Sequence, residues 1–170
     1  MDTTPLKDAY RALLDAAAIV ADSAGGTVPP AGEWSADQIL AHVSLVSALT
    51  VAAASSVASG ALATYDNRIA AEPWTIERVI ALAGGSAGLQ DRIRRQGDAL
   101  CMHDALMLSE AEFDTLVPTR LLSNSTVLVD QPVPLRDLIS GLAQVELPGH
   151  TNQLLALLPD DARAEATSAG

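Results

Sequence analysis

Apolar residues recur every three or four positions along four stretches of the chain, and most stretches carry their own start or stop signal. Leu6, Tyr10, Leu13, Leu14, Ala17 and Val20 share one helical face behind Thr4, read as the cap, with Pro5 at the first helical position. The run "SAGGTVPPAGE" ends that helix. In "WSADQI", Ser35 and Gln38 have capping-box spacing, and Trp34 and Ile39 stand where a hydrophobic staple closes. A second helix is therefore expected from Ser35 or Ala36 to about Leu62. A third, capped by Thr75, is expected to reach about Gly97. Its small-residue patch "GGSAG" follows no strand and lacks the Lys-Ser/Thr ending of a phosphate loop, so it reads as a place where another helix comes close. Ser109 and Glu112 repeat the capping-box spacing and predict a short helix to about Leu116. "TRLL" and "TVLVD" about "SNS" read as a small hairpin, with Pro132 and Pro134 terminating the extended segment. A last helix is expected from about Leu135 to Leu158.

Four main helices without an internal repeat imply an all-α fold, a four-helix bundle with one short extended or hairpin segment before the last helix. A single domain over residues 1–158 and a flexible tail over 159–170 are expected. Composition agrees: 49% of residues are hydrophobic but only 3% aromatic, so the core must come from small side chains, which suits close helix packing. A net charge of -11 repels phosphate backbones and anionic lipids, which argues against nucleic-acid partners. Arg92, Arg94 and Arg95 read as a solvated helix face. The lone Cys101 excludes an intramolecular disulfide and reads as a small buried hydrophobe. The acidic start "MDTTPLKDAY" has no signal-peptide pattern, so a cytoplasmic location is expected. Residues 43–65 carry no charge and are long enough to span a bilayer, yet Ala, Ser, Thr and Gly outnumber Leu and Val there. A buried Ala-rich helix is the better reading, and no membrane partner is expected.

Four polar residues interrupt the apolar faces. His42 lies on the stripe Ile39, His42, Val46 and Leu49, and Glu146, His150 and Gln153 form a polar band on the stripe Ile139, Leu142, Glu146, His150, Gln153 and Leu157. A carboxylate or a charged imidazole turned inward needs a partner of opposite demand. A divalent metal meets that need: two His nitrogens and one carboxylate oxygen from two helices can hold Zn²⁺ and leave a position open. The bland alternative is a hydrogen-bonded core His42 beside a Glu146–His150 pair, since Glu-x-x-x-His is a weak motif by itself. Pro148 bears on the choice. A kink there keeps Glu146 and His150 on one face, whereas a break swings Glu146 elsewhere.

The stretches "WSADQILAHVSLV" and "VELPGHTNQLLAL" resemble the ligand helices of the DinB-like superfamily, and in particular the metal-binding N-terminal domain of the mycothiol-dependent maleylpyruvate isomerases. The order of elements is similar over roughly residues 5–158. The resemblance implies His42, Glu146 and His150 as metal ligands, Zn²⁺ first with Ni²⁺ or Fe²⁺ as alternatives. It also implies a low-molecular-weight thiol such as mycothiol and transfer or isomerisation chemistry on a small electrophile. His103, beside Asp104, is expected in a connection after the third helix and is left outside the ligand set. The competing expectation is a non-catalytic homodimeric or stress-related bundle with a vestigial or structural metal site, its Ala-rich second helix offering the interface.

Overall fold

The computed structural model describes residues 1–23, 29, 31–106, 108–123 and 126–159, with the side chains of 103–106 set aside. Residues 160–170 of the expected tail and most of "SAGGTVPPAGE" lie outside the described residues. The chain is mostly helical: α1 (Thr4–Asp22), α2 (Ala36–Ala58), α3 (Arg68–Ala71), α4 (Pro73–Ala83), α5 (Ser86–Leu106), α6 (Glu110–Phe113), α7 (Leu135–Gly141) and α8 (Leu147–Leu155), the last two joined by a π turn over Leu142–Glu146. The all-α expectation is corrected by a three-stranded sheet of β1 (Tyr65–Asp66), β2 (Leu116–Ser123) and β3 (Thr126–Pro134). β2 and β3 form the expected hairpin, while β1 runs parallel to β2 and meets it only at Thr119 and Arg120. Pro132 does not stop the strand; it faces Pro118 across the ladder. β3 is a sheet edge and β1 is too short to reach Pro118, so neither proline interrupts a central ladder.

α1 and α2 each pack on α5 and α8, and α4 lies against α2 and α5. Leu6, Tyr10, Leu13, Ala17 and Val20 are buried as their spacing predicts, although α1 begins at Thr4, one residue before the expected start, with Asp2 Oδ1 accepting from the Thr4 N–H at 2.9 Å. At α2 the capping box forms in full: Gln38 N–H donates to Ser35 Oγ at 3.3 Å, and Ser35 N–H to Gln38 Oε1 at 2.9 Å. Ser44, Ser47 and Thr50 are buried on α2, each bonded, to Gln96, Tyr10 and the Val46 carbonyl respectively. Ala36–Ala58 is long and apolar enough to cross a membrane by length and composition, but more than half of it is buried here.

Several helix ends differ from expectation: α6 stops at Phe113 and α8 at Leu155, short of Leu116 and Leu158, and two larger differences fall at glycines. α2 stops at Ala58 rather than near Leu62, because Gly60 takes a left-handed φ of 70°. The Gly60 and Ala61 N–H groups then bond back to Val57 O and Ser56 O at 2.9 and 2.8 Å, a Schellman closure. The expected third helix is two: Gly84 and Gly85, at φ 76° and 91°, turn the chain between α4 and α5. α4 starts at Pro73, so Thr75 is not its cap but lies in the first turn, donating to Glu72 Oε2 at 3.0 Å. α5 continues past Gly97 to Leu106, which puts the backbone of His103 in a helix. α6 keeps its predicted capping box, and Arg136 at the start of α7 clasps it by bonding Asp114 and Glu110 at 2.7 and 3.0 Å.

Close approach within "GGSAG" falls at Gly88, where an added Cβ would stand 1.9 Å from the backbone oxygen of Ala83. Gly88→Ala is expected to destabilise the protein by about 1–3 kcal/mol, while Gly141→Ala, with nothing within 4 Å of its Cβ, should be neutral or stabilising. Equal denaturant midpoints for the two variants would contradict this account of the turn.

Candidate metal centre

His42 comes inward because the capping box fixes where α2 starts, two turns before it. The residue is buried, with the Trp34 ring tilted beside its imidazole at 5.0 Å between centroids. Its Nδ1 lies 2.8 Å from the carbonyl oxygen of Ala70, at the end of α3. That carbonyl is one of those a helix end leaves without an intrahelical partner. The sheet holds α3 in place through Asn67. Its N–H donates to Arg120 O at 3.2 Å, its side-chain amide donates to Leu122 O at 3.0 Å, and its Oδ1 accepts from Leu122 N–H at 2.8 Å. The small sheet thus sets the carbonyl that sets the imidazole.

The other two side chains come from the last helix, and Pro148 does not separate them. The chain stays helical through Glu146 (φ -66°, ψ -58°), and the π turn ahead of the proline hands the Leu147 N–H to Leu142 O, five residues back. Pro148 has no N–H to return to the Gln144 carbonyl, so a wider turn just before it relieves the ring's clash with that carbonyl. Glu146 and His150 remain neighbours, with His150 Nε2 3.3 Å from Glu146 Oε1. The extra residue in the turn also moves the apolar stripe. Leu142 is followed five residues later by fully buried Leu147, Val145 is 70% exposed, and Glu146 sits at the stripe's edge rather than at its centre.

His42 Nε2 lies 3.0 Å from the same Glu146 oxygen, and the donor atoms of His42, Glu146 and His150 all fall within 4.8 Å of one another. The Ala70 oxygen can only accept, so Nδ1 of His42 carries a proton and donates it. Its Nε2 then meets Glu146 either as an imidazolium N–H or as a lone pair that needs a cation between it and the carboxylate. In both cases positive charge belongs at the centre. Hydrogen bonding to His150 and His42 holds the Glu146 carboxyl well below the usual carboxylate range, against the upward push of burial. Two ligands about 2.1 Å from a tetrahedral ion stand about 3.4 Å apart, close to the 3.0 and 3.3 Å seen here. The three residues fit a divalent ion, with His150 Nδ1 also engaged, at 2.9 Å from Gln153 Oε1.

The sequence brought these three residues forward, and the fold assembles them into a group able to hold a metal. It did not point to Ala70, whose backbone oxygen carries no side-chain signal, nor to Trp34 as a wall of the site. Gln153 was on the polar band without a role. Tyr65 was also missed: burial first, then the nearby negative charge of Glu146, pushes its hydroxyl up to about 12, so it stays protonated beside Thr50 at 3.3 Å. Cys101 is buried, as read. Arg94 and Arg95 pair with Asp91 on the exposed face of their own helix. The side chain of His103 lies outside the described residues.

A carboxyl held low when folded contributes stability that is complete above its unfolded value of about 4.3 and is lost as the pH falls below it. In chelator-treated protein the melting temperature should therefore fall more steeply between about pH 5 and 3 for wild type than for Glu146→Gln. Parallel acid limbs for the two proteins would count against the hydrogen bonding described.

No protein-family model matches the chain, and no curated protein or solved structure matches it, so the chemistry of the three side chains carries the functional reading.

Proposed function

We propose that the protein is a metal-binding four-helix bundle of DinB-like type, holding one divalent ion, Zn²⁺ before Ni²⁺ or Fe²⁺, on His42, Glu146 and His150. It uses that ion for thiol-dependent transfer or isomerisation of a small electrophile in the cytoplasm. The observation that carries the reading is the meeting of two imidazole nitrogens and one carboxylate oxygen within 4.8 Å. One of those imidazoles has its proton fixed on the far nitrogen by Ala70. Three protein ligands with a position to spare are the pattern of catalytic rather than structural zinc. The resemblance of "WSADQILAHVSLV" and "VELPGHTNQLLAL" to the mycothiol-dependent isomerases supports a thiol as the fourth ligand.

When bound, the ion supplies Lewis acidity that lowers the pKa of a thiol, so that thiolate is available at neutral pH. The chain's own residues hold and shield. Ala70 and Gln153 orient the two imidazoles, Glu146 offsets part of the ion's charge, and Trp34 keeps water from one side of His42.

Elemental analysis of untagged protein purified without chelator should give close to one metal per chain in wild type and almost none in His42→Ala or Glu146→Ala. Loaded wild type should then consume small electrophiles only when a thiol such as mycothiol is supplied. Metal without turnover would favour a structural site in a non-catalytic bundle, and no metal after reconstitution would end the metal reading.

A further inference from the structure

The two histidines are oriented by acceptors of different kinds. Ala70 offers His42 a backbone carbonyl, which cannot be anything but an acceptor. Gln153 offers His150 a carboxamide, one turn further along α8, and a carboxamide can present either its oxygen or its N–H₂. With the oxygen forward, a neutral His150 carries its proton on Nδ1, and Nε2 turns a lone pair toward Glu146 Oε1 at 3.3 Å. Acceptor then faces acceptor, and a cation between them resolves the conflict. With the N–H₂ forward, Nδ1 accepts, Nε2 carries the proton and donates it to Glu146, and the pair is satisfied with no ion at all. The His150 side chain is only 17% exposed, so solvent has limited room to take over the amide's part.

We propose that Gln153 is a positioning residue for the metal centre, whose carboxamide oxygen keeps the proton on His150 Nδ1 and so converts His150 from a hydrogen-bond donor to Glu146 into a ligand. The inference rests on the metal-binding reading of the same site. It gives the two histidines unequal standing: a neutral His42 always turns its lone pair to the centre, because Ala70 cannot donate, whereas a neutral His150 does so only while Gln153 presents its oxygen. Reversal of a single amide separates a centre ready for metal from one closed on itself.

The test uses the full chain, Zn²⁺ alone as probe in competition with a chromophoric chelator, and two variants. Gln153→Met keeps the length but removes the acceptor, and should bind Zn²⁺ about 10–100-fold more weakly than wild type. Gln153→Glu can only accept when ionised, and should bind at least as tightly as wild type. Imidazole ¹⁵N shifts give a readout that a packing role would not move: metal-free Gln153→Met should show no proton held on His150 Nδ1, and metal-free Gln153→Glu a protonated Nδ1. Zn²⁺ affinities within about twofold for wild type and Gln153→Met would overturn the inference and leave the metal reading intact. The same tautomer in both variants would overturn it equally, and this comparison stands if Gln153→Met proves too unstable to titrate. Wild-type protein that takes up no Zn²⁺ would remove both.

Discussion

A backbone carbonyl can only accept a hydrogen bond, and at Ala70 that limitation organises the interior. The carbonyl fixes the proton on His42 Nδ1 and turns the opposite nitrogen toward Glu146, 104 positions away in sequence. Much of the surrounding structure keeps this carbonyl in place. α3 is a single turn that would not persist alone. It is tied to the sheet by the backbone and side chain of Asn67, and Ala70 itself is fully buried. The sheet is therefore more than a decorated loop. β1 spans two residues, but it docks the chain beside β2 where Asn67 can continue the ladder with its side chain.

The last helix solves a second problem. It must bury Leu135, Leu138, Ile139, Leu142 and Leu147 ahead of the proline and Leu154 and Leu158 after it, with Pro148 unable to donate to Gln144. An uninterrupted α-helix would force the proline ring against a carbonyl. A full break would lose the four-residue spacing of Glu146 and His150. The π turn avoids both, because one extra residue widens the turn ahead of Pro148 while every residue keeps a helical backbone. Its by-product is to set Leu147 in the core and Glu146 at the core's edge, where a carboxylate keeps some contact with water and avoids full desolvation.

Legibility of these features in the sequence follows their range. Both capping boxes form as spaced, because Ser35 with Gln38 and Ser109 with Glu112 are local bonds that need no tertiary support. The hairpin followed from β-branched runs about a short connection, and His42, Glu146 and His150 from polar positions on apolar faces. Gly60 was passed over because the Ala-rich run around it looks helical on both sides; its left-handed φ is what ended α2. Gly84 and Gly85 were credited with admitting a neighbour, when they supply a turn and only Gly88 lies against other backbone. β1 was invisible, since two residues carry no periodicity, and so was the role of Ala70, which acts through an atom every residue has. The π turn was hidden for a related reason: it shifts the helical period by one residue in a window too short to betray it.

The proposed open site, as against a structural staple, draws its support from the group's unequal burial. A structural zinc site is closed by four protein ligands. Here, among the described residues, only His42, Glu146 and His150 come together. Their side chains pass from 8% exposed at His42 through 17% at His150 to 34% at Glu146, so the group is sealed on the α2 side and open beyond the carboxylate. A half-buried carboxylate and two imidazoles would gain most from a cation where solvent is least able to substitute for it, yet exchange of a fourth ligand needs a path to solvent. The gradient supplies both at once: low dielectric around the His42 nitrogen, where electrostatic interactions are strongest, and access on the Glu146 side, where an incoming anionic ligand would enter. The carboxylate's own charge opposes that entry, which is consistent with the thiol proposed above, a ligand that arrives neutral and loses its proton on binding.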